Sequence, residues 1–285
     1  MNELYIIGNG FDLWHGLPTR YEDFYRFAKA KLSEVEWQCF VDAAIPWGDF
    51  EKSLGTFDWA TFYEHHDCTD VTAEDFSRSQ AYALEDELVE QADNLVNAIQ
   101  ELFHEWVGGI DVSMARRQMK LIPDARYLTF NYTSTLQEVY EIDCKRILHL
   151  HGSCDCNDQL IFGHGETMEE EPELDEYGDS NRTMFTDAEG AAKYPFYAFQ
   201  KPIDDVLAKH REFFDSLDSV NRITVIGHSL SDVDLPYFVE LAKKNVGCQW
   251  LVYCYAELDA SRHVRQLIKC GVSIASISTR RYTSP

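Results

Sequence analysis

Short apolar runs near residues 3–8, 126–130, 146–150, 222–227, 249–255 and 272–277 have the length and composition of β-strands. Several are followed by apolar positions of helical period, and that alternation predicts an α/β fold built on a doubly wound parallel sheet. Between the first two runs lie roughly 110 residues of helical periodicity with little strand character, far more than one crossover helix needs. Residues 20–120 therefore read as a large helical insertion after the first strand, with 1–19 and 121–285 forming the core of a single domain. The clearest helix runs from Ser77 to Val107, where Ala81, Leu84, Leu88, Leu95, Ile99, Leu102 and Trp106 fall at spacings of three, four or seven and make one face apolar. The stripe reads either as packing over the sheet or within the insertion or as part of a surface that meets another subunit, and both can hold together; a homo-oligomer is expected. Residues 166–181 are acidic and poor in helix formers, the pattern of a solvated loop, with a lid or partner-binding tail as the functional alternative.

Composition narrows the class. A chain of 285 residues that is 45% hydrophobic can bury a substantial core. Its formal charge of −24 opposes general binding to nucleic-acid backbones or anionic lipid surfaces. The cysteines at 39, 68, 144, 154, 156, 248, 254 and 270 include no Cys-x-x-Cys pair, and read as reduced packing residues rather than a zinc ribbon. Met1 leads into a strand without a signal-like segment, and no apolar run reaches the ~20 residues of a membrane span. The expectation is a cytoplasmic protein.

Four motifs stand at the ends of predicted strands: Gly8-Asn9-Gly10-Phe11-Asp12, Phe130-Asn131-Tyr132-Thr133, His149-Leu150-His151-Gly152 and Gly227-His228-Ser229. In an open parallel sheet the carboxyl ends of the strands converge on one crevice, so these motifs can line a single nucleotide site. Gly8 and Gly10 permit close backbone approach to a pyrophosphate, although Leu13 stands where a full dinucleotide fingerprint has its third glycine. Asp12 has two readings, a helix cap and a ligand for a ribose hydroxyl. Asn131 reads as an Asx turn or as an amide that positions a ribose or a water. His149 and His151 alternate on one predicted strand and so face the same side. Either His151 is a general base with His149 packing beside it, or the pair joins Cys154, Cys156 or His164 around a metal; the base reading is preferred. Gly227-His228-Ser229-Leu230-Ser231 approaches a nucleophile elbow but ends in Ser231, which disfavours a serine hydrolase and leaves a small-residue loop able to meet phosphate or ribose. Asp232 and Asp234 read as helix caps or as ligands of adenosine hydroxyls.

Taken together, GNGFDLWHGLPTRYEDF, LTFNYTSTL, LHLHG, IFGHG and VIGHSLSDVDLPYF resemble the AbiH-type phage abortive-infection family, grouped with sirtuin-like (SIR2) NAD-consuming domains. The resemblance implies a Rossmann-like NAD site and hydrolysis of NAD to nicotinamide and ADP-ribose. It implies Gly8, Asn9 and Gly10 as the phosphate loop, Asn131 as the ribose-positioning residue, His151 as the base before Gly152, and Gly227 and Ser229 on the adenosine side. The sirtuin Asn-x-Asp is here Asn131-Tyr132-Thr133, so the acid that contacts the nicotinamide amide is missing at position 133, and Asp12 is the candidate substitute. The four zinc cysteines of the deacetylase module are also missing, which disfavours acetyl-lysine as substrate.

The expectation is thus an antiphage NAD+ glycohydrolase with catalytic Asn131 and His151 and no metal. Its expected partners are NAD, further copies of itself, and a phage component or second defence protein. The alternatives are a non-catalytic sensor of NAD or ADP-ribose, and a metal-dependent hydrolase built on His149, His151 and His164.

Overall fold

The computed structural model describes residues 2–32, 39–40, 50–70, 72–74, 76–156, 158–170 and 172–282. Parts of the expected helical insertion, at 33–38 and 41–49, lie outside the described residues. Among the described residues a six-stranded, all-parallel sheet is formed by β1 (Glu3–Ile7), β2 (Arg126–Thr129), β3 (Ile147–His149), β4 (Arg222–Ile226), β5 (Gln249–Cys254) and β6 (Ile277–Arg281). Its order is β3-β2-β1-β4-β5-β6. The chain winds outward in one direction through β2 and β3, then returns to the other side of β1 at β4.

Among the described residues the helices are α1 (Asn9–Trp14), α2 (Tyr21–Ala28), α3 (Phe50–Leu54), α4 (Trp59–His66), α5 (Arg78–Gly108), α6 (Thr135–Glu138), α7 (Thr186–Ala198), α8 (Ile203–Lys209), α9 (Arg211–Asp215), α10 (Leu235–Lys244) and α11 (Glu257–Lys269). None is long and apolar enough to cross a membrane.

The central strand β1 is buried at every position, because both of its faces are covered. Leu4 and Ile6 join a cluster with Tyr237, Phe238, Leu241, Trp250 and Leu267. Tyr5 and Ile7 face the other way, against Phe11, Leu136 and Tyr140. The register aligns the strand ends: Ile7 pairs with Thr129 and with Ile226, and Thr129 pairs with His149. The loops that follow these residues therefore leave the sheet side by side.

The sixth strand departs from expectation. The apolar run 272–277 instead forms a turn and the 3-10 segment Ile274–Ser276, and the strand is the polar Ile277–Arg281. As an edge strand it pairs only with β5, and its largely exposed side chains need no apolar pattern.

The chain packs into two compact units. The first comprises 1–23, 104–161 and 202–285 and holds the whole sheet; the second comprises 24–103 and 162–201. Inside the second, Phe24 meets Phe50 and Phe103 edge-on at centroid distances of 4.8 and 5.2 Å, and Phe162 lies 4.3 Å from Phe103. Lys201 and Glu51 form a 2.9 Å ion pair there, with the ammonium fully enclosed. The apolar stripe of α5 is buried at each of its seven positions, so it serves packing within this chain. Among the described residues of the acidic segment 166–181 there is neither helix nor strand beyond a bridge between Leu174 and Ser180, closed by Asp175, whose carboxylate accepts from the amides of Tyr177 and Asp179.

Candidate functional site

The loop after β1 is built on contact with the loop after β4. The Gly8 amide donates to the Ile226 carbonyl at 3.0 Å and the Gly10 amide to the Gly227 carbonyl at 2.8 Å. A Cβ on Gly8 would stand 2.6 Å from the His228 Cα, and one on Gly10 would stand 2.9 Å from the Gly227 Cα. Gly227, at φ +72°, would place a Cβ 2.1 Å from the Phe11 nitrogen. Backbone packing therefore requires all three glycines, and Gly10 already uses its N–H within the protein. Asn9 reaches away from this seam and donates to the Thr19 carbonyl at 2.7 Å.

Asp12, on α1, is buried, and both carboxylate oxygens are engaged. Thr133 donates to Oδ2 at 2.6 Å and Thr135 to Oδ1 at 2.8 Å. Burial pushes the carboxyl up to about 6, against the lowering effect of the two hydroxyls and the nearby Asn131 amide. At neutral pH the group is an anion beneath the β2 loop. The first helix begins after Gly8, so Asp12 does not cap it.

Asn131 follows β2 by one residue. Its backbone is fixed twice: its N–H donates to Thr129 Oγ1 at 3.1 Å, and its carbonyl accepts from His149 Nδ1 at 2.9 Å. Its side chain is 6% exposed, and neither amide atom makes a hydrogen bond of normal geometry, although the group stands close enough to Asp12 to favour the carboxylate. Buried amides without partners are rare. The hydroxyls Thr19 Oγ1 and Ser153 Oγ are also buried in this unit without a hydrogen-bond partner.

The two histidines of the third motif part company. β3 ends at His149, and Leu150 and His151 lie in a turn, so the two-residue alternation of a strand does not extend to His151. His149 points to Gln137, whose amide lies 2.7 Å from Nε2, while Nδ1 meets the Asn131 carbonyl. A carbonyl can only accept, so Nδ1 carries the proton and Nε2 accepts from Gln137. Burial lowers the pKa of this ring and keeps it neutral. His151 packs instead against Phe130, 5.1 Å away edge-on, and Tyr237 at 5.7 Å. The expected shared face of His149 and His151 is thus corrected. His164 likewise spends both ring nitrogens, on the Phe196 carbonyl and the Glu166 amide. Among the described residues no group of three or more His, Cys, Asp or Glu side chains is placed to hold a metal ion.

Gly152 adopts φ +87°, and a Cβ there would sit 2.7 Å from the Gln159 carbonyl oxygen. Ser229 offers its carbonyl to Arg262 at 3.1 Å. Beside it His228 accepts from the Leu230 amide through Nδ1 and turns Nε2 toward Asp234, 3.6 Å away, whose carboxylate also accepts from Ser231. Asp234 thus orients His228, and Asp232 accepts from Gln266; neither side chain caps the following helix. The His228 ring lies 4.2 Å from Phe130, the residue before Asn131.

On the Thr133 side, a cleft of about 210 Å³ is lined by Asp111, Tyr132, Thr133, Ser134, Glu138 and Asp155 among others. Thr133 thereby connects the cleft to Asp12. Asn131 and His151 are not among the lining residues. Sequence motifs indicated Asp12, Asn131, Thr133, His151, Gly227 and Ser229; Thr135, His228 and Asp234 lie in or beside the same motifs, but the contacts of Thr135 with Asp12 and of His228 with Asp234 were not read from them. Their only advance signal was a hydroxyl two residues after Thr133 and an acid six residues after His228.

No curated protein matches this sequence, and no solved structure matches it. The family model described as bacteriophage abortive infection AbiH matches residues 4–254, a segment that contains every strand-end motif described above. The chain belongs to the AbiH family of bacteriophage abortive-infection proteins.

Proposed function

We propose that this protein is an NAD+ glycohydrolase that depletes NAD on phage infection, using a SIR2-like, Rossmann-like site at the carboxyl ends of β1 to β4. The observation that carries the reading is the buried, unpartnered amide of Asn131 at the end of β2. Desolvating such a group costs about 1–3 kcal/mol when no partner replaces water, and a bound ribose or oriented water supplies that partner. The strand order β3-β2-β1-β4-β5-β6 supports it, since this is the order in which dinucleotides bind across the point of reversal.

The reaction breaks the bond between nicotinamide and ribose through a transition state of oxocarbenium character. Nicotinamide leaves as a neutral molecule, so general-acid help is small. Asn131 orients the ribose and the attacking water, and His151 accepts a proton from that water or from a ribose hydroxyl. Asp12, anionic at pH 7 and adjacent to Asn131, favours positive charge developing nearby. Gly8, Gly10, Gly227 and Ser229 shape the backbone on which the phosphates and adenosine lie.

A sensor without turnover is the second reading. It is favoured by Thr133 in place of an acid and by the commitment of both Asp12 oxygens to threonine hydroxyls. Cellular NAD measured after phage infection separates the two. Loss of NAD in cells expressing the wild type, and retention in cells expressing Asn131→Ala, supports turnover; unchanged NAD in both, with defence intact, supports the sensor.

A further inference from the structure

We infer that Tyr255 and Arg262 form a purine-nucleotide subsite beyond the ends of β4 and β5, with the base stacked on Tyr255 and a phosphate oxygen paired with Arg262. This inference rests on the proposed dinucleotide site and extends it to residues outside the segment that the family model matches, 4–254.

Tyr255 follows β5 directly and is 55% exposed, yet it is held in place. Its ring stacks on Tyr282 at 4.2 Å with an interplanar angle of 26°, and Tyr282 in turn meets Trp14 edge-on at 4.7 Å. Its hydroxyl donates to the Gly10 carbonyl at 3.0 Å. A surface ring fixed on one face and at its tip has lost its rotamer freedom before any ligand arrives, so stacking a planar base on it costs little further entropy. A nucleobase suits such a ring because every base presents a π-face, and a purine presents the larger one.

Arg262 supplies the charge. It is exposed on α11 and donates through Nη2 to the Ser229 carbonyl at 3.1 Å, which draws the guanidinium to the loop after β4. A guanidinium carries five N–H donors in a planar fork, and this contact uses one nitrogen of it. In a chain of formal charge −24, a cation held at this loop is one of the minority of basic groups able to pair with a phosphate. The two tethers end on backbone segments that touch, since the Gly10 amide donates to the Gly227 carbonyl. Base platform and phosphate partner thus share one seam of the fold.

The test is calorimetric titration of the full chain with ADP-ribose, AMP and adenosine. The expected result is that Tyr255→Ala weakens all three by about tenfold or more, the loss of one base–aromatic stack. Arg262→Ala weakens ADP-ribose and AMP and leaves adenosine unchanged, while Tyr255→Phe keeps most of the affinity because the ring remains. Saturation transfer from tyrosine ring protons to the adenine H2 and H8 of AMP bound to the wild type gives a readout that needs no variant. Wild-type binding of ADP-ribose with unchanged affinity in Tyr255→Ala and Arg262→Ala and no transfer to adenine overturns this subsite alone. Failure of the wild type to bind ADP-ribose overturns the dinucleotide reading and the subsite with it.

Discussion

Thr133 Oγ1 donates a 2.6 Å hydrogen bond to Asp12 Oδ2, joining the loop after β2 to the first helix across 121 positions of sequence. Thr135 completes the clamp from the other side. The carboxyl it holds has a pKa of about 6 instead of its ordinary 3.8, because burial outweighs the hydroxyls. The folded chain thus retains a proton on Asp12 where the unfolded chain has lost it. Its contribution to stability is greatest below pH ~4 and declines as pH rises toward ~6, by about 3 kcal/mol in total. Asp12→Asn, which cannot ionise, removes this decline. Thermal melts of the two proteins between pH 4 and 7 should diverge progressively in favour of the variant; parallel curves would show that Asp12 is not the buried acid described.

Thr133→Val and Thr135→Val each delete one donor to that carboxylate. Both should raise the Asp12 pKa further and lower stability at pH 7 by about 1–3 kcal/mol, the usual range for a hydrogen bond to a charged group. A 13C-detected titration of the Asp12 carboxyl reads the shift directly. No upward movement in either variant contradicts the clamp.

Asn131 and His149 should fail in different ways. The Asn131 side chain makes no hydrogen bond of normal geometry and only a weaker contact with Asp12, so Asn131→Ala should keep the wild-type melting temperature within a few degrees while abolishing NAD turnover. His149→Ala frees both the Asn131 carbonyl and the Gln137 amide, and should lower stability by about 2 kcal/mol as well as impairing turnover through a displaced Asn131. Melting curves with matched activity assays distinguish them. A large stability loss in Asn131→Ala would contradict a ligand-facing amide.

Gly227 and Gly247 provide a comparison, since both adopt a left-handed φ, +72° and +81°. A Cβ on Gly247 meets nothing within 4 Å, so Gly247→Ala should cost only the conformational term of about 1–2 kcal/mol. Gly227→Ala adds a 2.1 Å clash with the Phe11 nitrogen and should cost several kcal/mol more or prevent folding. Equal urea midpoints for the two variants would refute the tight seam between the first and fourth strand-end loops.

The periodicity of the chain was sufficient for most of the sheet and for the long helix, because β1, β2, β4 and β5 are buried strands with continuous apolar runs and α5 carries its buried stripe on one face. It misplaced β6, an edge strand whose polar residues carry no such signal, and it carried strand alternation past His149 into a turn. Motif reading located Asp12, Asn131 and Thr133, but the clamp between Asp12 and Thr133 spans distant sequence and emerges only when β1 and β2 pair in register. Gly8 and Gly10 were legible as residues of close approach. Their partner, the Gly227 backbone, was not, because a missing Cβ does not name the atom that fills its place.

Turnover of NAD at Asn131 is read by chromatography of NAD+ incubated with purified protein, with and without lysate of phage-infected cells. Equal amounts of nicotinamide and ADP-ribose are expected from the wild type in at least one of these conditions, and neither product from a folded Asn131→Ala. Absence of nicotinamide release from the wild type under both conditions, or full release by Asn131→Ala, would contradict turnover at this residue.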